Sequence, residues 1–185
     1  MKPWKTLSRK TAFAPNPFLK VELHSVELPN GRVIDDWTWI EVPEYANILA
    51  RTPRGTFLCF RQIKYAVPVP SLAPPGGYLE PGEDPLAAAK RELQEETGFV
   101  SDEWHPLGSY VVDSNRGAGK AHLFLALNAR DVGGKLDDDL EEQELLHLTR
   151  EDLEQALDQG KIPVLGFATL IGLGFRRLDQ PLKYT

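Results

Sequence analysis

The chain has a single cysteine, Cys59. No intrachain disulfide framework is possible, and a reducing, cytoplasmic setting is the expectation. Long apolar runs are missing too. The longest, residues 164–175, has 12 residues, against the about 20 needed to span a bilayer. It reads as a buried helix, and no membrane partner is expected. Residues 1–10 are basic, but no apolar segment follows them, which argues against a secretory signal. There is no basic excess: the net charge is −6 and the pI about 5.3. General nucleic-acid binding is therefore disfavoured. His24, His105 and His147 are too scattered to suggest a zinc site, and His122 reads as a satisfied strand residue rather than a ligand. No internal repeat is visible.

What remains is an ordinary globular balance, 42% hydrophobic and 26% charged residues in 185. That length supports one domain, or one domain with a substantial extension. Folding would bury about 70% of the unfolded surface, enough for a real core. Residues 20–28 and 32–42 alternate loosely around Pro29-Asn30-Gly31, a turn signal, and predict a β-hairpin. Residues 46–51 and 56–62 flank Thr52-Pro53-Arg54-Gly55 and predict a second. Pro68, Pro70, Pro74 and Pro75 predict an irregular stretch, because proline lacks a donor and fixes φ.

A helix follows. Asp84 suits its N-cap, Pro85 its first position and Gly98 the residue past its end, with Leu86, Ala89 and Leu93 on one apolar face. Residues 108–113 and 121–128 predict strands, and residues 145–148 a short one. Thr149-Arg150-Glu151-Asp152 resembles a capping box with Asp in place of Glu, opening a helix that stops at Gly160. A last helix is expected over residues 163–178, against the helix-weakening Gly166, Gly172 and Gly174.

The informative segment runs from Gly77 to Phe99. Glu92, Glu95 and Glu96, spaced i, i+3, i+4, share one helix face. Like charges at that spacing destabilise a helix by about 0.2–0.5 kcal/mol per pair. They also lie late in the helix, where its dipole favours cations. A bound divalent ion reverses the sign of both effects, and magnesium prefers oxygen ligands. Taken alone, the three glutamates read as readily as a solvated acidic face. The glycine-rich turn before the helix, which lets backbone approach a ligand, favours the ion. So does Arg91, one turn before Glu95 and able to hold it.

The segment resembles the Nudix box, G-x5-E-x7-R-E-U-x-E-E-x-G-U with U apolar, at every defined position. Average residue usage puts a chance match at roughly one in ten million. The resemblance implies an α/β fold, the Nudix α/β/α sandwich with a mixed sheet, and hydrolysis of a nucleoside diphosphate derivative with Mg2+ or Mn2+. By position, Glu92, Glu95 and Glu96 are implied metal ligands, Glu95 and Glu96 also catalytic. Glu83 is an implied outer carboxylate, and Gly76 is placed to offer its carbonyl to a metal. Gly77, Gly82, Arg91 and Gly98 are implied structural residues of the box. Leu93 and Phe99 would anchor the helix.

The lead-in Phe60-Arg61-Gln62-Ile63-Lys64-Tyr65-Ala66, with Pro75-Gly76-Gly77, is similar to that of ADP-ribose pyrophosphatases. So is an N-terminal antiparallel β extension. This similarity implies an extension over residues 1–45, a hydrolase domain over 46–185, and a homodimer with active sites shared across the interface. Lys64 would lie near the phosphates or terminal ribose, or is an ordinary lysine. Phe18, Trp37 and Trp39 are candidates to stack on a base, although most strand aromatics are core. Arg116 and Asn115 are candidate substrate contacts. The acidic segment 137–142 falls where relatives place a loop bearing a catalytic glutamate; its position points to Glu141, with Asp139 and Glu142 as alternatives. One departure stands out: residues 113–119 contain no proline, where ADP-ribose pyrophosphatases typically carry one. GDP-mannose or another nucleotide sugar is the alternative substrate. A nucleotide-binding regulator without turnover is the alternative of another class.

Overall fold

The protein was analysed as a computed structural model, which describes residues 1–134 and 142–180. The strands are β1 (Lys5–Asn16), β2 (Leu19–Glu27), β3 (Val33–Glu41), β4 (Tyr45–Ala50), β5 (Phe57–Lys64), β6 (Val67–Ala73) and β7 (Gly76–Tyr78). After helix α1 (Pro85–Thr97) come β8 (Phe99–Val100), β9 (Glu103–Asp113), β10 (Gly117–Leu127), β11 (Arg130–Asp131) and β12 (Gln143–Leu148). Helices α2 (Arg150–Asp158) and α3 (Leu165–Asp179) complete the described elements. No described helix is long and apolar enough to cross a membrane.

Two compact units are present: Met1–Glu44 with Tyr110–Ala121, and Tyr45–Ser109 with the chain from His122 onward. In the first unit β1, β2 and β3 form an antiparallel meander. The hairpin β2–β3 turns at residues 28–32, as the Pro-Asn-Gly signal predicts; Gly31 there has φ 81°. Strand β1 was not legible in the sequence. It is exposed at every position, so it shows no inside–outside alternation. Gly117 in β10 pairs with Ile40 in parallel, which makes the sheet mixed.

In the second unit β4 is the centre. Its residues Ala46, Ile48 and Ala50 are fully buried and join Ala88, Ala89 and Leu93 of α1 in one core cluster. On the opposite side, α3 comes close because it has glycines where side chains would collide. A Cβ at Gly174 would lie 2.3 Å from Leu49 Cδ2, and one at Gly166 3.1 Å from Tyr45 Oη. Gly166 and Gly174, which weaken α3 as an isolated helix, thus allow its approach to β4, whereas a Cβ at Gly172 would meet nothing within 4 Å. Helix–strand–helix layering follows, the α/β/α arrangement.

Two expectations need correction. Residues 46–51 and 56–62 are strands, yet they do not form a hairpin. An isolated bridge, Arg51–Phe57, joins them. β4 pairs with β7 and β10, whereas β5 pairs with β12 and β6 in another sheet. Residues 67–73, expected to be irregular, form β6. It pairs with β5 alone, and an edge strand has an outer side whose donors are not needed by the ladder. Pro68 and Pro70, two residues apart and exposed, are compatible with that position. Cys59 is a core residue of β5; burial pushes its thiol up to about 12.

Candidate active site

The segment from Gly76 to Gly98 folds as loop, helix and stop. Asp84 caps α1, its Oδ1 accepting from the amides of Leu86 (3.0 Å) and Ala87 (3.1 Å). Gly98 ends it at φ 75°, its N–H donating to Gln94 O. Leu93 and Phe99 are buried, so the helix is anchored on one side and presents its carboxylates on another. Gly82, at φ 80°, turns the loop before Glu83.

Arg91 is the hub. Its Nε and Nη2 donate to the two oxygens of Glu83, each at 3.0 Å. Nη1 donates to Glu92 Oε1 (2.8 Å) and Glu95 Oε2 (3.0 Å). Nη2 also reaches Tyr78 O at 3.1 Å, tying loop to helix. The Arg91–Glu95 pairing expected one turn apart is present, and two further carboxylates share the cation. Glu83 is held below its ordinary value by Arg91 and by the Glu80 amide. Glu92 behaves oppositely. Burial raises it, the charges of Glu95 and Glu83 add to that, and Arg91 offsets only part. One guanidinium does not neutralise three carboxylates.

The two glycines of the loop are placed by contact. The Gly76 N–H donates to Glu96 Oε2 at 2.7 Å. A Cβ at Gly77 would lie 2.5 Å from Glu92 Oε1, so glycine lets the loop lie against that carboxylate without displacing it. Gly76, Gly77, Glu83, Arg91, Glu92, Glu95 and Glu96 are thereby brought into one region.

The donors in this region suit a hard divalent cation: carboxylate oxygens and main-chain carbonyls. Glu92 adds a physical reason, since a carboxylate driven toward neutrality by burial regains its charged form beside a cation. Among the described residues, no three acidic, His or Cys side chains converge closely enough to hold an ion. Arg91 draws Glu92 and Glu95, and the Gly76 amide draws Glu96.

The other candidates belong to other elements. Lys64 is half-buried at the end of β5, in register with Val67. Phe18 and Arg116 belong to the first unit. Phe18 is exposed between β1 and β2. Arg116 sits in the β9–β10 turn, its amide donating to Asp113 Oδ1 at 2.8 Å. Trp37 and Trp39 line a cavity of about 350 Å³ in that unit with Trp4 and His24. Trp39 stacks on His24, and Trp37 Nε1 donates to Asn115 O. His122 is a satisfied strand residue, its Nδ1 2.8 Å from Ser109 Oγ. Glu141 and Asp139 lie outside the described residues. Sequence reasoning missed Asn47, buried on β4 beside Gly76. Its signal was a polar residue inside the apolar run Ala46-Asn47-Ile48-Leu49-Ala50.

This loop–helix–loop, set on an α/β/α core, is that of a Nudix hydrolase. The family model of the NUDIX domain matches residues 41–165, more than half of the chain, and the chain belongs to that family. It is a hydrolase, of a class that generally uses divalent metals. A second model, the nucleoside diphosphate sugar hydrolase N-terminal domain, matches residues 4–40. Among relatives, a methanol dehydrogenase activator of Bacillus methanolicus is 28% identical over 97% of this chain and 96% of its own length. An ADP-ribose pyrophosphatase of Bacillus subtilis is 27% identical over 85% of each. A solved structure described as an ADP compounds hydrolase shares the fold, with TM-score 0.80, 18% identity, and coverage of 97% of this chain and 96% of that one.

Proposed function

We propose that this Nudix hydrolase cleaves the diphosphate bridge of a nucleoside diphosphate sugar, with ADP-ribose as preferred substrate and AMP and ribose 5-phosphate as products. The observation that carries this reading is the placement of Glu92, Glu95 and Glu96 on one face of α1, with Gly77 against Glu92 and Gly76 bonded to Glu96. The N-terminal family match and the Bacillus subtilis relative support the substrate class. Glu92, Glu95, Glu96 and the Gly76 carbonyl would hold Mg2+, or Mn2+. When bound, such an ion neutralises phosphate oxygens and lowers the pKa of a bound water.

The chain's own residues then have distinct tasks. Arg91 fixes Glu92 and Glu95 and ties the helix to Glu83 and Tyr78 O. The Gly76 amide orients Glu96. Glu96, Glu95 and Glu141 are assigned to catalysis, and one of these three carboxylates accepts the proton of the attacking water. Lys64, Arg116 and Phe18 are assigned to substrate binding, and the enzyme to a homodimer built on its N-terminal extension. The proline-free loop 113–119 keeps GDP-mannose as the second reading. A panel of nucleotide sugars with Mg2+ or Mn2+, read by mass spectrometry, tests both. AMP and ribose 5-phosphate from ADP-ribose support the first, and preferred cleavage of GDP-mannose the second. No phosphate-ester product from any member sinks the proposal.

A further inference from the structure

β4 is apolar at its buried positions except one. Ala46, Ile48, Leu49 and Ala50 are all at most 1% exposed, and Asn47 sits among them at 3%. Its Nδ2 is buried without a hydrogen-bond partner. A buried amide donor left unpaired costs stability, so an apolar side chain of similar size would serve packing better. Such a group calls for a reason outside packing.

The neighbours supply one. Asn47 is the cross-strand partner of Gly76, and the amide of Ile48 donates to Pro75 O at 2.9 Å. Gly76 has φ 148°, and a Cβ there would lie 2.2 Å from Ala46 O, 2.7 Å from Asn47 Oδ1 and 2.8 Å from Asn47 Cα. The Asn47 carboxamide therefore packs directly on the Gly76 backbone, on the side facing α3, where Asn47 Nδ2 lies 3.8 Å from the Cβ position of Gly166. From its own N–H, the same glycine clamps Glu96 Oε2 at 2.7 Å. The Pro75–Gly76 peptide is thus held by Ile48 N–H at its oxygen and by Glu96 at its N–H, with the Asn47 carboxamide against Gly76 beside it.

We propose that Asn47 is a positioning residue: by backing Gly76, it sets the direction of the amide that orients Glu96. This rests on the reading of Glu96 as a metal-binding, catalytic carboxylate. In this proposal Asn47 acts through Gly76. Its carboxamide, together with Ala46 O, fills the space beside Gly76 and limits how far that residue can rotate.

The test uses the full-length protein with Asn47→Leu, Asn47→Ala and the control Glu96→Gln. Three quantities are measured: melting temperature in EDTA, affinity for Mn2+ alone by calorimetry, and ADP-ribose turnover. For Asn47→Leu, kcat and Mn2+ affinity should each fall about 10–100-fold, the usual range for groups that orient a metal ligand. KM should stay within about twofold, because substrate binding itself is untouched. Melting in EDTA should be at or above wild type, since the unpaired donor is gone. Asn47→Ala, which needs no extra room, should move kcat and Mn2+ affinity in the same direction. Wild-type kcat and Mn2+ affinity in both Asn47 variants, with Glu96→Gln inactive, overturns the positioning role alone. Lowered melting of both variants overturns it too, because the amide is then a structural group. Wild-type turnover in Glu96→Gln removes the reading of Glu96 and this inference with it.

Discussion

Helices α1 and α2 belong to the same unit but carry their charges in opposite ways. α2 has Glu151 and Asp152 in its first turn, where the helix dipole favours anions. Thr149 and Asp152 close a reciprocal capping box. α1 has no acidic residue in its first turn and no basic one in its last, and places Glu95 and Glu96 near its C-terminus. The Glu151 and Asp152 of α2 are placed as local stability dictates, although its last residue, Asp158, is acidic. α1 is charged against local stability and leans on Arg91 to hold Glu83, Glu92 and Glu95 together. A bound cation, as proposed, would account for that departure.

Removing charges should separate the two helices. The largest effect is expected from Glu96→Gln. Turnover should fall by more than about a hundredfold with the circular dichroism spectrum unchanged; wild-type rates would break the contrast. Next is Arg91→Ala, which leaves Glu83, Glu92 and Glu95 without their shared cation. Stability by urea unfolding should drop by about 1–3 kcal/mol, and added Mg2+ should recover part of it. A variant as stable as wild type would show that the carboxylates need no counter-ion. Thr149→Ala should cost α2 about 1 kcal/mol and leave kcat alone, since that cap serves only the helix.

The smallest effect is a slope in pH. Glu83 titrates below its ordinary value of 4.5 in the folded protein, so the unfolded chain binds more protons there. Its contribution is complete above pH 4.5 and fades as pH falls through the native value. Urea titrations at pH 3–5 should give Glu83→Gln a shallower loss of stability on acidification than wild type. Equal slopes would mean that Arg91 does not hold Glu83.

Much of the box was legible because its signals are local. Asp84, Pro85 and Gly98 mark the ends of α1 by backbone chemistry that acts within four residues. Glu92, Glu95 and Glu96 share a face by helical periodicity alone. Less legible were features that depend on distant partners. Strand β1 lacks alternation, so nothing in its sequence distinguishes it from loop. Pro68 and Pro70 argue against a strand until β6 is known to be an edge. Asn47 gains meaning only beside Gly76, 29 positions later in the chain.

The sequence by itself determined the family, the capped helix and the carboxylates on one of its faces, because spacing and end signals act through covalent neighbours. Tertiary structure alone decided that β4 and β5 separate into different sheets, that glycines bring α3 against β4, and that Arg91 serves three acids at once. Those outcomes depend on which remote backbone and side-chain groups meet, and contact between remote groups is a property of the packed chain.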